Sequence, residues 1–231
     1  MDISTFSKKN DLVLTADEIA LCEKGIKFMR NSLDRHHEET HIFRMLDTFL
    51  ILEREYMSVD HAVTVLSICW HDVWKSRRIF IPKKVRFMFD QVFEGIGSAI
   101  IFFKNSKGIS LRKRFKSAIA ILLHVRLDVV LPRSLRKIYA ALFLSQEARL
   151  LQDLDALESC NLEFLENFKK VYTPRFKKYP EFLDIWNDYY YKGFRNMKET
   201  VFYSKSAKRI FRDQIDKFQT EAEQYLKGVG E

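Results

Sequence analysis

His71 and Asp72 are adjacent in the chain, His41 precedes them by thirty residues, and Asp155 follows far downstream. Two imidazoles and two carboxylates form a complete donor set for one divalent cation of the hydrolytic kind. On an octahedral ion they leave two positions for water and substrate. Mn2+ or Mg2+ is expected first, and Fe, Ni, Zn and Co accept the same donors. The dipeptide alone is weak, since a shuffled chain of this composition would contain His-Asp roughly 0.4 times. Its weight comes from its setting. Asp155 lies within Leu150, Leu151, Leu154 and Leu157, a buried helical stripe in which a carboxylate needs a partner.

Other polar groups are spaced to join such a centre. His37, His41 and Arg44 recur at steps of four and three, one face of a helix. His37 either faces a phosphate or is an exposed neighbour of His36. Arg44 is either a substrate contact or an internal ion-pair partner. Lys75, one turn beyond Asp72, can stabilise a departing phosphate, and Arg78 can help hold it. Glu94 can orient the attacking water as a base. His124 sits in an apolar helix and lines either a pocket or the core. Two basic runs, Lys75–Arg86 and Lys104–Lys116, read either as a funnel for phosphates or as solvated faces.

The elements that must position these groups read as helices. Thr15 and Glu18 form a capping box, followed by Ile19, Cys22, Ile26, Met29 and Leu33 at helical steps. A second helix is expected over about 38–54. A third, capped by Ser58, carries Ala62, Val63, Leu66 and Cys69 into His71-Asp72. Pro82 opens a fourth through Phe103, and Ser110 caps a fifth that ends near Arg126. Pro132 opens a long sixth that runs to about Glu158. Pro174 and Pro180 mark loops, and two more helices follow near 181–197 and 206–227. The expectation is an all-α, compact helical bundle in one domain, 1–231. Its core spans about 15–160, with C-terminal helices over about 161–228 packed on it.

Composition agrees. Seven glycines and four prolines are too few for a protein of many tight turns, and 47% hydrophobic residues supply an ample core. Three scattered cysteines, Cys22, Cys69 and Cys160, have no disulfide or zinc spacing, so buried thiols in a reducing compartment are expected. Met1–Leu14 lacks the apolar segment of a secretory signal, and no run is long and apolar enough to span a membrane. A cytoplasmic protein is therefore expected, as monomer or homodimer. The net charge of +8 suits a polyanionic partner or serves solubility.

The spaced residues resemble the HD-domain phosphohydrolase family. His41-Ile42-Phe43-Arg44-Met45 is similar to its H-x-x-R-V helix. Ser67-Ile68-Cys69-Trp70-His71-Asp72-Val73-Trp74-Lys75 is similar to its H-D-x-x-K signature. Gln152-Asp153-Leu154-Asp155-Ala156-Leu157 looks like its Q-D-A-D-x-L segment. The matches span about 15–160. The resemblance implies an HD-type helical bundle and a divalent ion held by His41, His71, Asp72 and Asp155. His37-x-x-x-His41 and Ile121-x-x-His124 resemble the small bacterial nucleotide pyrophosphatases of that family, which implies hydrolysis of a nucleotide or another phosphoester or phosphoanhydride. Phe93 stands where many members carry a histidine for a second metal, which implies one ion here. The rival expectation is a catalytically inactive helical module that binds RNA or an acidic partner through its basic surface.

Overall fold

The computed structural model describes residues 2–30, 39–77, 84–125, 143–193, 195 and 197–230. Among them the chain is all-α, with no strand. Its helices are α1 (Ile3–Lys9), α2 (Ala16–Arg30), α3 (Glu39–Leu52), α4 (His61–Trp70) and α5 (Lys84–Asn105). They continue as α6 (Leu111–Leu123), α7 (Gln146–Glu158), α8 (Leu162–Lys178), α9 (Pro180–Gly193) and α10 (Lys205–Gly230).

The packing is organised around α4. Every residue from Ala62 to Trp70 is buried, so this helix has no solvent face and must lie inside the bundle. It packs against α2, α3, α5, α6 and α7. Its approach to α2 is close: a methyl group on Gly25 would stand 2.5 Å from the Cys69 carbonyl oxygen and 2.8 Å from Trp70 Nε1. Trp70, fully buried, donates its indole N–H to the Leu21 carbonyl at 2.9 Å and fixes the same junction. The C-terminal helices continue this core, with α10 packed on α8, α7 and α3. Cys22, Cys69 and Cys160 are buried free thiols, and burial pushes the Cys160 thiol up to about 12.

The local signals are mostly realised. Thr15 N–H donates to Glu18 and Glu18 N–H to Thr15 Oγ1, the reciprocal capping box. Ser110 caps α6. Four expectations need correction. The cap of α4 is Asp60, which accepts from Val63 N–H, while Ser58 occupies a left-handed turn at φ 59°. Pro174 lies inside α8 and does not break it. The lost helical bond costs about 3 kcal/mol. The apolar stripe Leu165, Phe168, Tyr172 and Phe176 outweighs it. The long sixth helix is interrupted: Leu144 and Ser145 are non-helical, and Ser145 caps α7. The chain also begins with a helix, α1, that lies before the capping box. The helix starts expected at Pro82 and Pro132 lie outside the described residues, as does Arg126.

Candidate metal centre

Four helix ends and one helix face build the site. His41 lies in the first turn of α3. His71 is the C-terminal cap of α4, its N–H bonded to the Ser67 carbonyl at 2.9 Å, and Asp72 follows in the turn. Asp155 faces inward from α7. Glu94 on α5 and His124 at the end of α6 close the other side. His41, His71, Asp72, Lys75, Glu94 and His124 are all buried, and Asp155 keeps 28% of its side chain exposed.

The distances match a metal site. His41 Nε2 and His71 Nε2 are 3.2 Å apart, and each lies 3.7–3.9 Å from Asp155 Oδ1. The circle through these three atoms has a radius of about 2.1 Å, the length of first-row metal–nitrogen and metal–oxygen bonds. Asp72 Oδ2, at 3.5 Å from His71 and 3.9 Å from His41, forms a second triangle on the same edge with a radius of about 2.1 Å. His41, His71 and Asp155 are therefore a group that can hold a metal ion, with Asp72 alongside.

Backbone carbonyls orient two of the imidazoles. His71 Nδ1 is 2.8 Å from the Ile68 carbonyl, so that nitrogen donates and Nε2 faces the centre. His124 repeats the arrangement at the end of α6, with Nδ1 donating to the Ile121 carbonyl at 2.5 Å. Burial pushes the His71 imidazole down, but Asp72 and hydrogen-bonded Asp155 outweigh it and raise its pKa to about 9. Against the cost of burial, His71 and Lys75 hold the Asp72 carboxyl well below the usual carboxylate range. Burial likewise opposes ionisation of Asp155, and its hydrogen bond to His71 prevails. The gathered carboxylates thus favour positive charge at His71.

Lys75 and Glu94 complete the wall. Lys75 Nζ lies 2.8 Å from Asp72 Oδ2 and 2.9 Å from Glu94 Oε1, and His124 Nε2 is 3.4 Å from Glu94. Asp72, Glu94 and His124 thus form a second donor group that the sequence reading did not foresee. The Lys75 ammonium already bridges two of its carboxylates. Phe93 itself offers no donor; the donors come from the residue after it and from the next helix.

Arg44 is paired with Glu158 and, at 3.0 Å, with Glu163, both within the protein. Glu158, also unforeseen, stands 3.6 Å from His41 Nδ1. It lies three residues after Asp155 on the same face of α7, and that spacing was the signal for it. His37 and Arg78 lie outside the described residues. The second basic run does not flank the donors. Lys104 is ten residues from Glu94 along α5, about 15 Å. Lys113 pairs with Glu18, and Lys116 lies 3.3 Å from Glu147.

Gln152 and Asp153 hold α7 in register beside the site. Gln152 Nε2 donates to the Leu123 carbonyl at 2.6 Å. Fully buried Asp153 accepts from Tyr56 Oη at 2.5 Å and from the N–H groups of Tyr203 and Ser204, both at 2.9 Å.

Comparison of the chain with protein-family models, with curated proteins and with solved structures returns no match.

Proposed function

We propose that the protein is an HD-type metal-dependent phosphohydrolase that cleaves a phosphoester or phosphoanhydride bond, most readily in a nucleotide. The observation that carries the reading is the approach of His41, His71 and Asp155, from α3, the end of α4 and α7, to within 3.9 Å of one another, with Asp72 Oδ2 3.5 Å from His71 and 3.9 Å from His41. These residues would hold a divalent cation, Mn2+ or Mg2+ by first choice, which would supply acidified water and neutralisation of phosphate charge. Asp155, the partly exposed donor, marks the side from which substrate enters. Glu94 is the base that takes the proton of the attacking water, and His124 holds that carboxylate from the far side. Lys75 places an ammonium beside Asp72, within one side chain's reach of a phosphate at the centre.

The test is metal content by elemental analysis beside phosphate and pyrophosphate release from a panel of nucleotides with Mn2+ or Mg2+. About one ion per chain and turnover are expected, both lost in Asp72→Ala. Turnover that survives Asp72→Ala refutes the proposal. Salt-sensitive RNA binding that persists in this variant without any turnover would favour a non-catalytic binding module.

A further inference from the structure

The α5–α6 hairpin carries a surface that the metal centre does not use. Ile96 and Ile100 on α5 and Leu111, Phe115, Ile119 and Leu122 on α6 are each 40–59% exposed. Their spacing places them on one ridge of each helix. The two helices are packed against each other, with Gly95 close to the Leu122 carbonyl and the Phe103 and Phe115 rings 5.2 Å apart. Together the six side chains expose on the order of 500 Å² of apolar surface, the size of the largest patch on a typical monomer, which is often functional.

The ionic residues of this part of the hairpin have one sign. From Gly95 to Leu123 the chain has no Asp or Glu, and its ionic residues are Lys104, Lys107, Arg112, Lys113, Arg114 and Lys116. Lys113 and Lys116 turn to Glu18 and Glu147. Lys104, Lys107 and Arg112 are exposed at the hairpin's loop end. A second copy packed on this face would bring its own cationic rim against the same rim. An acidic helix from another protein needs a groove. Here the valley between α5 and α6 is filled by Phe103 and Phe115, with Arg114 4.3 Å above the Phe103 ring. Apolar side chains on an outward ridge of a hairpin whose own ionic residues from Gly95 to Leu123 are all cations match the requirements of an anionic lipid surface.

We propose that the α5–α6 face docks the protein peripherally on anionic membranes, with Phe115, Ile100 and Ile119 entering the acyl boundary and Lys104, Lys107 and Arg112 meeting headgroups. No helix among the described residues is long and apolar enough to cross a membrane, and the attachment proposed is peripheral. The proposal is independent of the chemistry at the metal centre.

The experiment is co-sedimentation of the full chain with vesicles of phosphatidylcholine, and with vesicles in which about one third of it is replaced by phosphatidylserine. Binding to the second and not the first is expected, weakened by salt. Ile100→Ser/Phe115→Ser and Lys104→Ala/Arg112→Ala should each lower partitioning about tenfold or more while leaving helicity and metal content unchanged. Absence of binding, or binding that both double variants retain, overturns the proposal. So does a wild-type dimer in light scattering that becomes monomeric in Ile100→Ser/Phe115→Ser, which would assign the face to a second copy.

Discussion

Asp153→Asn is a small change with a large expected cost. The carboxylate accepts from Tyr56 Oη and Ser204 N–H at Oδ2, and from Tyr203 N–H at Oδ1. An amide keeps one acceptor oxygen. If its NH2 replaces Oδ1, it stands against the Tyr203 N–H, which retains only a contact of 3.2 Å to the other oxygen. If it replaces Oδ2, it stands against the Ser204 N–H, and only the Tyr56 hydroxyl can turn to accept. Either orientation sets two donors face to face in a buried position and removes the charge from the remaining bonds. The expected loss is about 2–3 kcal/mol. Asp153→Ala deprives all three donors of this acceptor and should cost about 4 kcal/mol or more. Tyr56→Phe removes one donor and should cost about 1 kcal/mol. Urea denaturation followed by circular dichroism measures all three. The expected order is Tyr56→Phe, Asp153→Asn, Asp153→Ala, with metal content retained in the first two. An Asp153→Asn midpoint within error of wild type, at equal slope, would refute the reasoning.

Three further outcomes follow from the geometry. Gly25→Ala gains about 1 kcal/mol in helix propensity, but its methyl meets a backbone carbonyl that cannot rotate away. A net thermal destabilisation of about 1–2 kcal/mol is expected, and a raised melting temperature would contradict the close α2–α4 contact. Glu158→Gln should weaken Mn2+ binding about tenfold by releasing His41; unchanged affinity in calorimetry would remove Glu158 from the site. His71, raised from 6.5 to about 9 in the folded chain, contributes stability without metal that is fully present below 6.5 and lost as pH rises through about 9. A bound ion must displace that proton, so metal affinity should climb about tenfold per pH unit through the same window and level off above it. A flat profile would show that His71 is not protonated in the metal-free protein.

Much of this was legible because it is local. The capping box at Thr15–Glu18, the Ser110 cap and the apolar steps of α2 and α3 depend only on near neighbours, and they appear where the residues place them. The donor residues were legible by type, since an aspartate among leucines and a His-Asp pair after an apolar run both need partners. What escaped depends on contacts distant in sequence. Pro174 reads as a breaker until the aromatic packing of α8 is known. Glu94 and His124 meet only because α5 and α6 form a hairpin over Asp72. Arg44 could serve substrate or protein, and the Glu158 and Glu163 carboxylates on the neighbouring helices give it a partner inside the fold.

The two helix endings at the centre have a consequence for the order of events. α4 ends at His71 and α6 at His124, so the negative poles of two backbone dipoles meet where the carboxylates already gather. This field belongs to the peptide groups and persists whatever the side chains titrate to. On the proposed function, a phosphate approaching the bare centre would be repelled by both poles and a cation drawn in, so loading would run in sequence, with the cation first and the anion only after the local field is reversed.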